Sequence, residues 1–135
     1  MAIGLLLVSH NQIGAELINT ARQMLSCSPL PTKVISIKTS DCPEAITSEL
    51  NKELEGLDQG NGILILTDMF GSTPSNIACS VSDRDDIRVI SGLNLPMLIR
   101  VLNYPNLSLN ELEIKALSGG QEGVARCHKS GINND

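Results

Sequence analysis

Short apolar runs alternate with amphipathic segments along the chain. Residues 3–8 and 63–67 are almost entirely apolar, a pattern typical of strands covered on both faces of a parallel sheet. Residues 33–38 and 87–91 predict two more strands. Amphipathic spacing predicts helices after the strands, over residues 12–25, 43–57, 74–81, 96–103 and 109–118. We therefore expect an α/β fold, a three-layer sandwich with a mainly parallel central sheet of four strands.

Capping residues and buried faces follow from the same pattern. Asp41 or Cys42 is expected to cap the second helix, with Pro43 in its first turn. Thr73 is expected to be the N-cap of the third helix, with Pro74 at its first helical position. The first helix is expected to bury one side, formed by Ile13, Leu17, Ala21, Met24 and Leu25.

The C-terminal quarter of the chain predicts a last helix, followed by a segment with two possible structures. Ser108 and Glu111 resemble a capping box for the last helix, which Gly119 and Gly120 are expected to interrupt. Residues 123–128 either resume that helix or form an edge strand. We expect a single domain over residues 1–128, followed by a short frayed tail over residues 129–135.

Composition narrows the range of partners. The chain has 135 residues, 41% of them apolar, but Phe70 and Tyr104 are the only aromatic residues, so the core must be aliphatic. The net charge is −5 and no cluster of Lys and Arg occurs. With so few cations and rings, nucleic acid is not an expected partner, whereas a basic protein surface is compatible with the charge.

The four cysteines give no sign of a metal site or of a disulfide framework. None forms a C-x-x-C pair, and no histidine lies near them at zinc-binding spacing. No signal peptide and no apolar stretch of about 20 residues is recognisable, so we expect no membrane insertion. We expect a cytoplasmic protein whose thiols are reduced and buried as small hydrophobes.

Candidate chemistry lies where the strands end, because ligands of open α/β sheets bind at the carboxyl ends of the strands. The polar residues at these positions are Ser9, His10 and Asn11 after the first strand, Asp68 with residues 70–73 after the third, and Ser91, Gly92 and Asn94 after the fourth. The first and third strands are usually neighbours in this architecture. His10, on the turn after the first strand, should then face Asp68 across one crevice.

This pair suits nucleophilic chemistry. Neutral imidazole is a good nucleophile near pH 7, and a carboxylate on one ring nitrogen fixes the tautomer so that the other presents its lone pair. Gly71, Ser72 and Thr73 lead into a helix N-terminus, where backbone N–H groups and hydroxyls can hold phosphate oxygens.

Spacing alone leaves plainer explanations open. His10 could be a turn or capping residue, and Asp68 could cap the following turn. Residues 71–74 could be only a helix entry, since the loop lacks the lysine of a Walker A motif. Asn94 could be an ordinary helix cap, and His128 an ordinary surface residue.

Three sequence blocks carry a family resemblance. They are IGLLLVSH over residues 3–10, LTDMFGSTPSN over residues 66–76 and SGLNLPML over residues 91–98, with a weaker match over residues 120–124, GQEGV. In order and spacing the chain resembles the enzyme IIA domain of the mannose/fructose/sorbose family of the bacterial phosphoenolpyruvate-dependent sugar phosphotransferase system.

The resemblance implies a phosphohistidine carrier without a metal or other cofactor. His10 matches the histidine that accepts a phosphoryl group from the histidine-containing phosphocarrier protein and passes it to a IIB component. Asp68 matches the carboxylate that orients this histidine. Ser72 lies in the phosphate-binding loop, where many relatives have a second glycine. The family forms homodimers that exchange a C-terminal strand, here residues 123–128.

Two features remain open beside this resemblance. Met69 and Phe70 could form an apolar docking rim or could pack into the core. The downstream role could be sugar uptake, or it could be regulation, including a dihydroxyacetone-kinase-type phosphotransferase subunit. A binding module that is never phosphorylated is disfavoured by the intact His10–Asp68 pair.

Overall fold

The computed structural model describes residues 2–26 and 30–129. Within these residues, four strands alternate with five helices, as the sequence pattern predicts. The strands are β1 (Gly4–His10), β2 (Thr32–Ile37), β3 (Ile63–Thr67) and β4 (Ile87–Ser91). The helices are α1 (Ile13–Met24), α2 (Pro43–Leu57), α3 (Thr73–Cys79), α4 (Leu95–Leu102) and α5 (Leu109–Glu122).

The four strands form one parallel sheet with the order β2-β1-β3-β4. The carboxyl ends of β1 and β3 are therefore adjacent at one edge of the sheet. His10 is the last residue of β1 and pairs in register with Ile37 of β2. The expectation that His10 lies on the turn after the strand is wrong, because β2 continues far enough to pair with two more polar residues of β1.

Apolar side chains of the central strands point alternately into two cores. Leu5 and Leu7 of β1 join the cluster beneath α1, α4 and α5, whereas Leu6 and Val8 join the cluster beneath α2 and α3. Both clusters are built from aliphatic residues with one methionine, and neither aromatic ring is buried. The predicted three-layer sandwich and its aliphatic core are confirmed.

The buried face of helix α1 matches the predicted one only in part: Leu17 and Leu25 are partly buried against the core as expected. Gly14, Ile18 and Ala21 are its buried residues, whereas Ile13 and Met24 are exposed, Met24 by 61%. The prediction counted apolar side chains and missed that a glycine lets the helix axis approach the sheet. Only Ala21 of the expected face is fully buried.

Helix starts agree with the predicted caps to within one residue. Pro43 opens α2 after Cys42, and Ser108 forms the predicted capping box with Glu111 at α5. The N-cap of α3 is Ser72, so the assignment of that role to Thr73 is wrong by one position. Asn94 caps α4, its side-chain oxygen accepting a hydrogen bond from the backbone N–H of Met97.

The predicted interruption of the last helix at its glycine pair is wrong. Helix α5 runs through Gly119 and Gly120. Both glycines lie against α4, where a larger residue would clash. A Cβ atom at Gly119 would lie 2.6 Å from Cβ of Arg100, and one at Gly120 would lie 2.7 Å from Cε of Met97. The glycines therefore serve close helix packing rather than helix termination.

The last described segment, residues 124–128, forms neither helix nor strand within this chain and is exposed. Exchange of this segment with a second chain stays a prediction, and most of the expected tail lies outside the described residues.

The expectation of buried thiols is wrong for every described cysteine: Cys42, Cys79 and Cys127 are exposed. They lie before α2, at the last residue of α3 and after α5. Cys27 lies outside the described residues. Across the part of the chain that the structure describes, no helix has the length and hydrophobicity needed to span a bilayer.

Candidate functional site

His10 is presented by a sharp turn between β1 and α1. Asn11 follows it in a left-handed conformation with φ of 47°, and the Asn11 backbone N–H donates to the carbonyl of Ile37 at 2.9 Å. Asparagine tolerates this region better than most residues because its short polar side chain can hydrogen-bond locally. The turn leaves the His10 side chain 35% exposed at the sheet edge.

Asp68 holds both the backbone and the ring of His10. Its Oδ2 accepts a hydrogen bond from the His10 backbone N–H at 2.8 Å and lies 2.8 Å from Nδ1 of the ring. Asp68 directly follows β3, the neighbour of β1, so the two strand ends bring these residues together as the sequence predicts. The Asp68 side chain is 9% exposed, and its Oδ1 is buried without a hydrogen-bond partner among the described residues.

The surroundings of Asp68 keep its carboxyl ionised. Burial raises the pKa of Asp68, but the hydrogen bonds from the backbone and ring of His10, with the charge of His10, lower it more, so the pKa lies below its ordinary value. An ionised carboxylate can only accept hydrogen bonds. The neutral His10 ring therefore carries its proton on Nδ1 and keeps a lone pair on Nε2.

Ser9 was placed at this edge by the sequence, but its role was missed. Ser9 is fully buried, and its Oγ accepts a hydrogen bond from the backbone N–H of Gly14 at 2.8 Å. Gln12, the residue at the N-cap position of α1, makes no side-chain capping bond, so Ser9 satisfies a free N–H of the first turn instead. This bond ties the start of α1 to the strand that carries His10.

A cleft of about 330 Å³ opens beside His10. Its lining residues come from the ends of β1 and β2, from the loop after β2, and from the starts of α2 and α3: His10, Ile37, Lys38, Thr39, Asp41, Pro43 and Thr73. The wall after β2 was not predicted, because the expected site included the ends of only the other three strands. The same strand-end rule applied to β2 would have found Lys38 and Thr39.

The three predicted phosphate-binding residues in the loop after β3 have different surroundings. Ser72 is nearly buried, and its hydroxyl donates to the Met69 carbonyl at 2.6 Å, which closes the loop on itself. Gly71 has φ of 83°, a conformation that favours glycine. Thr73 is exposed and lines the cleft with His10.

Comparison with known proteins assigns the family. A sequence model of EIIA-man, described as PTS system fructose IIA component, matches residues 4–115. The chain belongs to this family. The match spans all four strands and both halves of the His10–Asp68 pair.

Two relatives of this EIIA-man member have names from the phosphotransferase system. The mannose-specific EIIAB component of Escherichia coli K12 is 31% identical over 127 residues, which are 92% of this chain and 39% of that protein. The fructose-specific EIIA component of Bacillus subtilis 168 is 30% identical over 79 residues, which are 56% of this chain and 54% of that protein. The chain thus spans about two fifths of the length of the first relative.

A solved structure matches the fold of this EIIA-man member along nearly its whole length. The mannose/sorbose-specific IIA subunit from Enterococcus faecalis superposes with a TM-score of 0.84 at 26% identity, covering 96% of this chain and 97% of that one. The expected family fold is confirmed.

The other polar residues that the sequence placed at strand ends have structural roles or are exposed to solvent. Ser91 joins Thr67 and Ser75 in a partly buried chain of hydroxyl hydrogen bonds with two 2.8 Å links. Asn94 is a helix cap, as the plainer alternative had it, and Gly92 has φ of 92° in the turn before it.

The exposure of Met69 and Phe70 decides whether these loop residues form a docking rim or pack into the core. Phe70 is 83% exposed and Met69 is also exposed, so the alternative of core packing is wrong. His128 lies in the exposed segment after α5. Among the described residues, no group of three or more His, Cys, Asp or Glu side chains is arranged to hold a metal ion.

Proposed function

We propose that this chain is a phosphohistidine carrier of the sugar phosphotransferase system. Nε2 of His10 accepts a phosphoryl group from the histidine-containing phosphocarrier protein and passes it to a IIB component. The observation that carries this proposal is the 2.8 Å contact between Nδ1 of His10 and Oδ2 of Asp68, which leaves Nε2 as the nucleophile. Family membership supports the same chemistry.

The transfer needs no cofactor, because one P–N bond replaces another. The lone pair of Nε2 forms a bond to phosphorus while the donor P–N bond breaks, and the bonding pair stays on the donor nitrogen. The Nδ1 proton remains in its hydrogen bond to Asp68. The ring becomes cationic as the new bond forms, and the Asp68 carboxylate stabilises that charge. Transfer to the IIB component repeats the step with His10 as donor.

The phosphoryl oxygens would lie near the start of α3. Of Gly71, Ser72 and Thr73, we assign direct contact to Thr73, the only one of the three that lines the cleft. Ser72 contributes indirectly, since its hydroxyl already binds the Met69 carbonyl and shapes the loop. Gly71 supplies the backbone conformation that the loop requires.

The two partners are proteins, and an exposed apolar rim is available to dock them. Met69 and Phe70 protrude from the loop that holds Asp68. Exposed rings and methionines are favoured at protein interfaces. The net charge of −5 would favour partners with a basic surface around the donor histidine. We place this reaction in the cytoplasm and in a homodimer of a domain that covers residues 1–128.

The test is phosphorylation measured by intact mass. The chain is incubated with phosphoenolpyruvate, enzyme I and the phosphocarrier protein, and one acid-labile phosphoryl group per chain is expected. His10→Ala should abolish the label. His128→Ala is the matched control, because His128 is the only other histidine, and this variant should be labelled like the wild type. A label that survives His10→Ala, or no label on the wild type, overturns the proposal.

The downstream acceptor needs a second measurement. The phosphorylated chain is mixed with a IIB component, and loss of the label from His10 with its recovery on IIB is expected. A chain that is labelled by the phosphocarrier but transfers to no IIB component would instead favour the regulatory role.

A further inference from the structure

Lys38 lines the His10 cleft and is the first residue after β2. It directly follows Ile37, the register partner of His10 on the neighbouring strand, and it lines the same cleft as His10. Two hydrogen bonds between Lys38 and Asp41 close the turn that follows. The Lys38 backbone N–H donates to Oδ2 of Asp41 at 2.8 Å, and the Asp41 N–H donates to the Lys38 carbonyl at 3.0 Å.

The charge balance of the cleft gives Lys38 a distinct place. Lys38 is the only lysine or arginine among the residues that line the cleft, which also include Asp41, and the Asp68 carboxylate contacts the ring of His10 there. Within the described residues, the Lys38 ammonium has no carboxylate within 4.0 Å. Its charge is therefore not neutralised by an ion pair.

A phosphoryl group on His10 would worsen the negative balance of this cleft. Such a group carries roughly −1.5 to −2 charges near pH 7 and would lie among two carboxylates of an acidic protein. Electrostatic repulsion would then favour return of the phosphoryl group to its donor. A flexible ammonium on the adjacent strand end can reach a phosphate as a point charge.

We propose that Lys38 binds the phosphoryl group carried on His10 and stabilises the phosphorylated state. This inference rests on the proposed function and adds a phosphate-binding residue to it. The ammonium contacts oxygens of the phosphoryl group and takes no part in the breaking or making of the P–N bond. Lys38 therefore affects the equilibrium of phosphoryl transfer between the carrier and its donor, with little effect on the structure of the site.

The experiment measures that equilibrium in competition. The chain, the phosphocarrier protein, enzyme I, phosphoenolpyruvate and pyruvate are mixed, and intact mass gives the phosphorylated fraction of both carriers. Lys38→Gln should lower the equilibrium constant for transfer to His10 by about three- to tenfold. Lys38→Arg should stay within about twofold of the wild type, because it keeps the charge. Raising NaCl from roughly 50 mM to roughly 500 mM should shrink the difference between Lys38→Gln and wild type.

Lys33→Gln is the matched control. Lys33 is an exposed lysine near the opposite end of β2, five residues from Lys38 and thus roughly 16 Å away at the rise of a strand. The Lys33→Gln variant makes the same change in net charge, at a distance of about one screening length in roughly 50 mM salt and about two in physiological salt. This variant should match the wild type within about twofold.

Three outcomes overturn the inference, and they distinguish its failure from failure of the proposed function. If the wild type is labelled on His10 but Lys38→Gln matches Lys33→Gln at low salt, the role of Lys38 is refuted and the proposed function stands. If the wild type is not labelled, both fall. A Lys38→Arg variant as impaired as Lys38→Gln would also refute a charge-based role.

Discussion

Replacing Gly14 by alanine places a methyl group where a hydrogen-bonded oxygen already lies. The new Cβ would be 2.6 Å from Oγ of Ser9 and 3.5 Å from Cβ of Leu7. Ser9 is fully buried and adjoins His10, so it has little room to move. We expect overpacking to cost about 1–3 kcal/mol of unfolding free energy, offset by about 0.5–1 kcal/mol from the higher helix propensity of alanine.

A second substitution isolates the cause of that loss. Ser9→Ala removes the acceptor for the Gly14 N–H, which should cost about 1 kcal/mol, as the loss of a helix cap does. In the double variant the oxygen is gone, and the methyl group added at position 14 keeps only contacts of 3.5 Å, an ordinary van der Waals distance. The double variant should therefore be more stable than Gly14→Ala, with a favourable coupling of about 1–3 kcal/mol.

The assay is urea unfolding of the wild type, both single variants and the double variant, analysed by linear extrapolation. Destabilisations that simply add would refute the steric conflict between the Ser9 hydroxyl and a Cβ at position 14. A Gly14→Ala variant more stable than the wild type would refute it as well.

Four further substitutions test other parts of the structure. Asp68→Asn should reduce the loss of unfolding free energy below about pH 4. Folding lowers the pKa of the Asp68 carboxyl, so this group stabilises the fold above its unfolded-state pKa of about 3.9, and that stabilisation is lost as the pH falls. Identical acid profiles of the two proteins in urea unfolding would contradict this. Asn94→Ala should cost about 1–2 kcal/mol in the same assay through loss of the α4 cap, and an unchanged midpoint would count against it. Gly119→Ala should lower the midpoint by clashing with Arg100, whereas Gly56→Ala, with nothing within 4 Å of its Cβ, should raise it slightly; equal effects would refute the packing argument.

The strands could be predicted from sequence because burial on both faces leaves a direct pattern. Residues 5–8 of β1 are all fully buried, and an apolar run is the expected result. Strand ends were less predictable. Ser9 and His10 look like turn residues, but parallel pairing with β2 extends the strand through both of them.

The helices show what periodicity cannot predict. In α1 the closest approach to the sheet is made by Gly14, which has no side chain for the pattern to register. In α5 the glycine pair looks like a helix stop, yet it fits the groove beside α4. In both cases tertiary packing overrides the local meaning of glycine.

The site was partly predictable because strand order determines which strand ends meet. Adjacent strands β1 and β3 bring His10 to Asp68, which the chain separates by 58 positions. The cleft wall after β2 was overlooked, and the geometry of the loop before α3 depends on a side-chain hydrogen bond of Ser72 that no spacing rule reveals. Exposure of Phe70 likewise depends on how that loop folds.

The nitrogen that carries the phosphoryl group is the most direct test of the proposed mechanism. A chain with ¹⁵N-labelled histidine is phosphorylated by phosphoenolpyruvate, enzyme I and the phosphocarrier protein, and ¹H–¹⁵N and ³¹P spectra are recorded. We predict one phosphoryl group bonded to Nε2 of His10, with the Nδ1 proton retained in its hydrogen bond to Asp68. Phosphorylation of Nδ1, or of any residue other than His10, would contradict the mechanism.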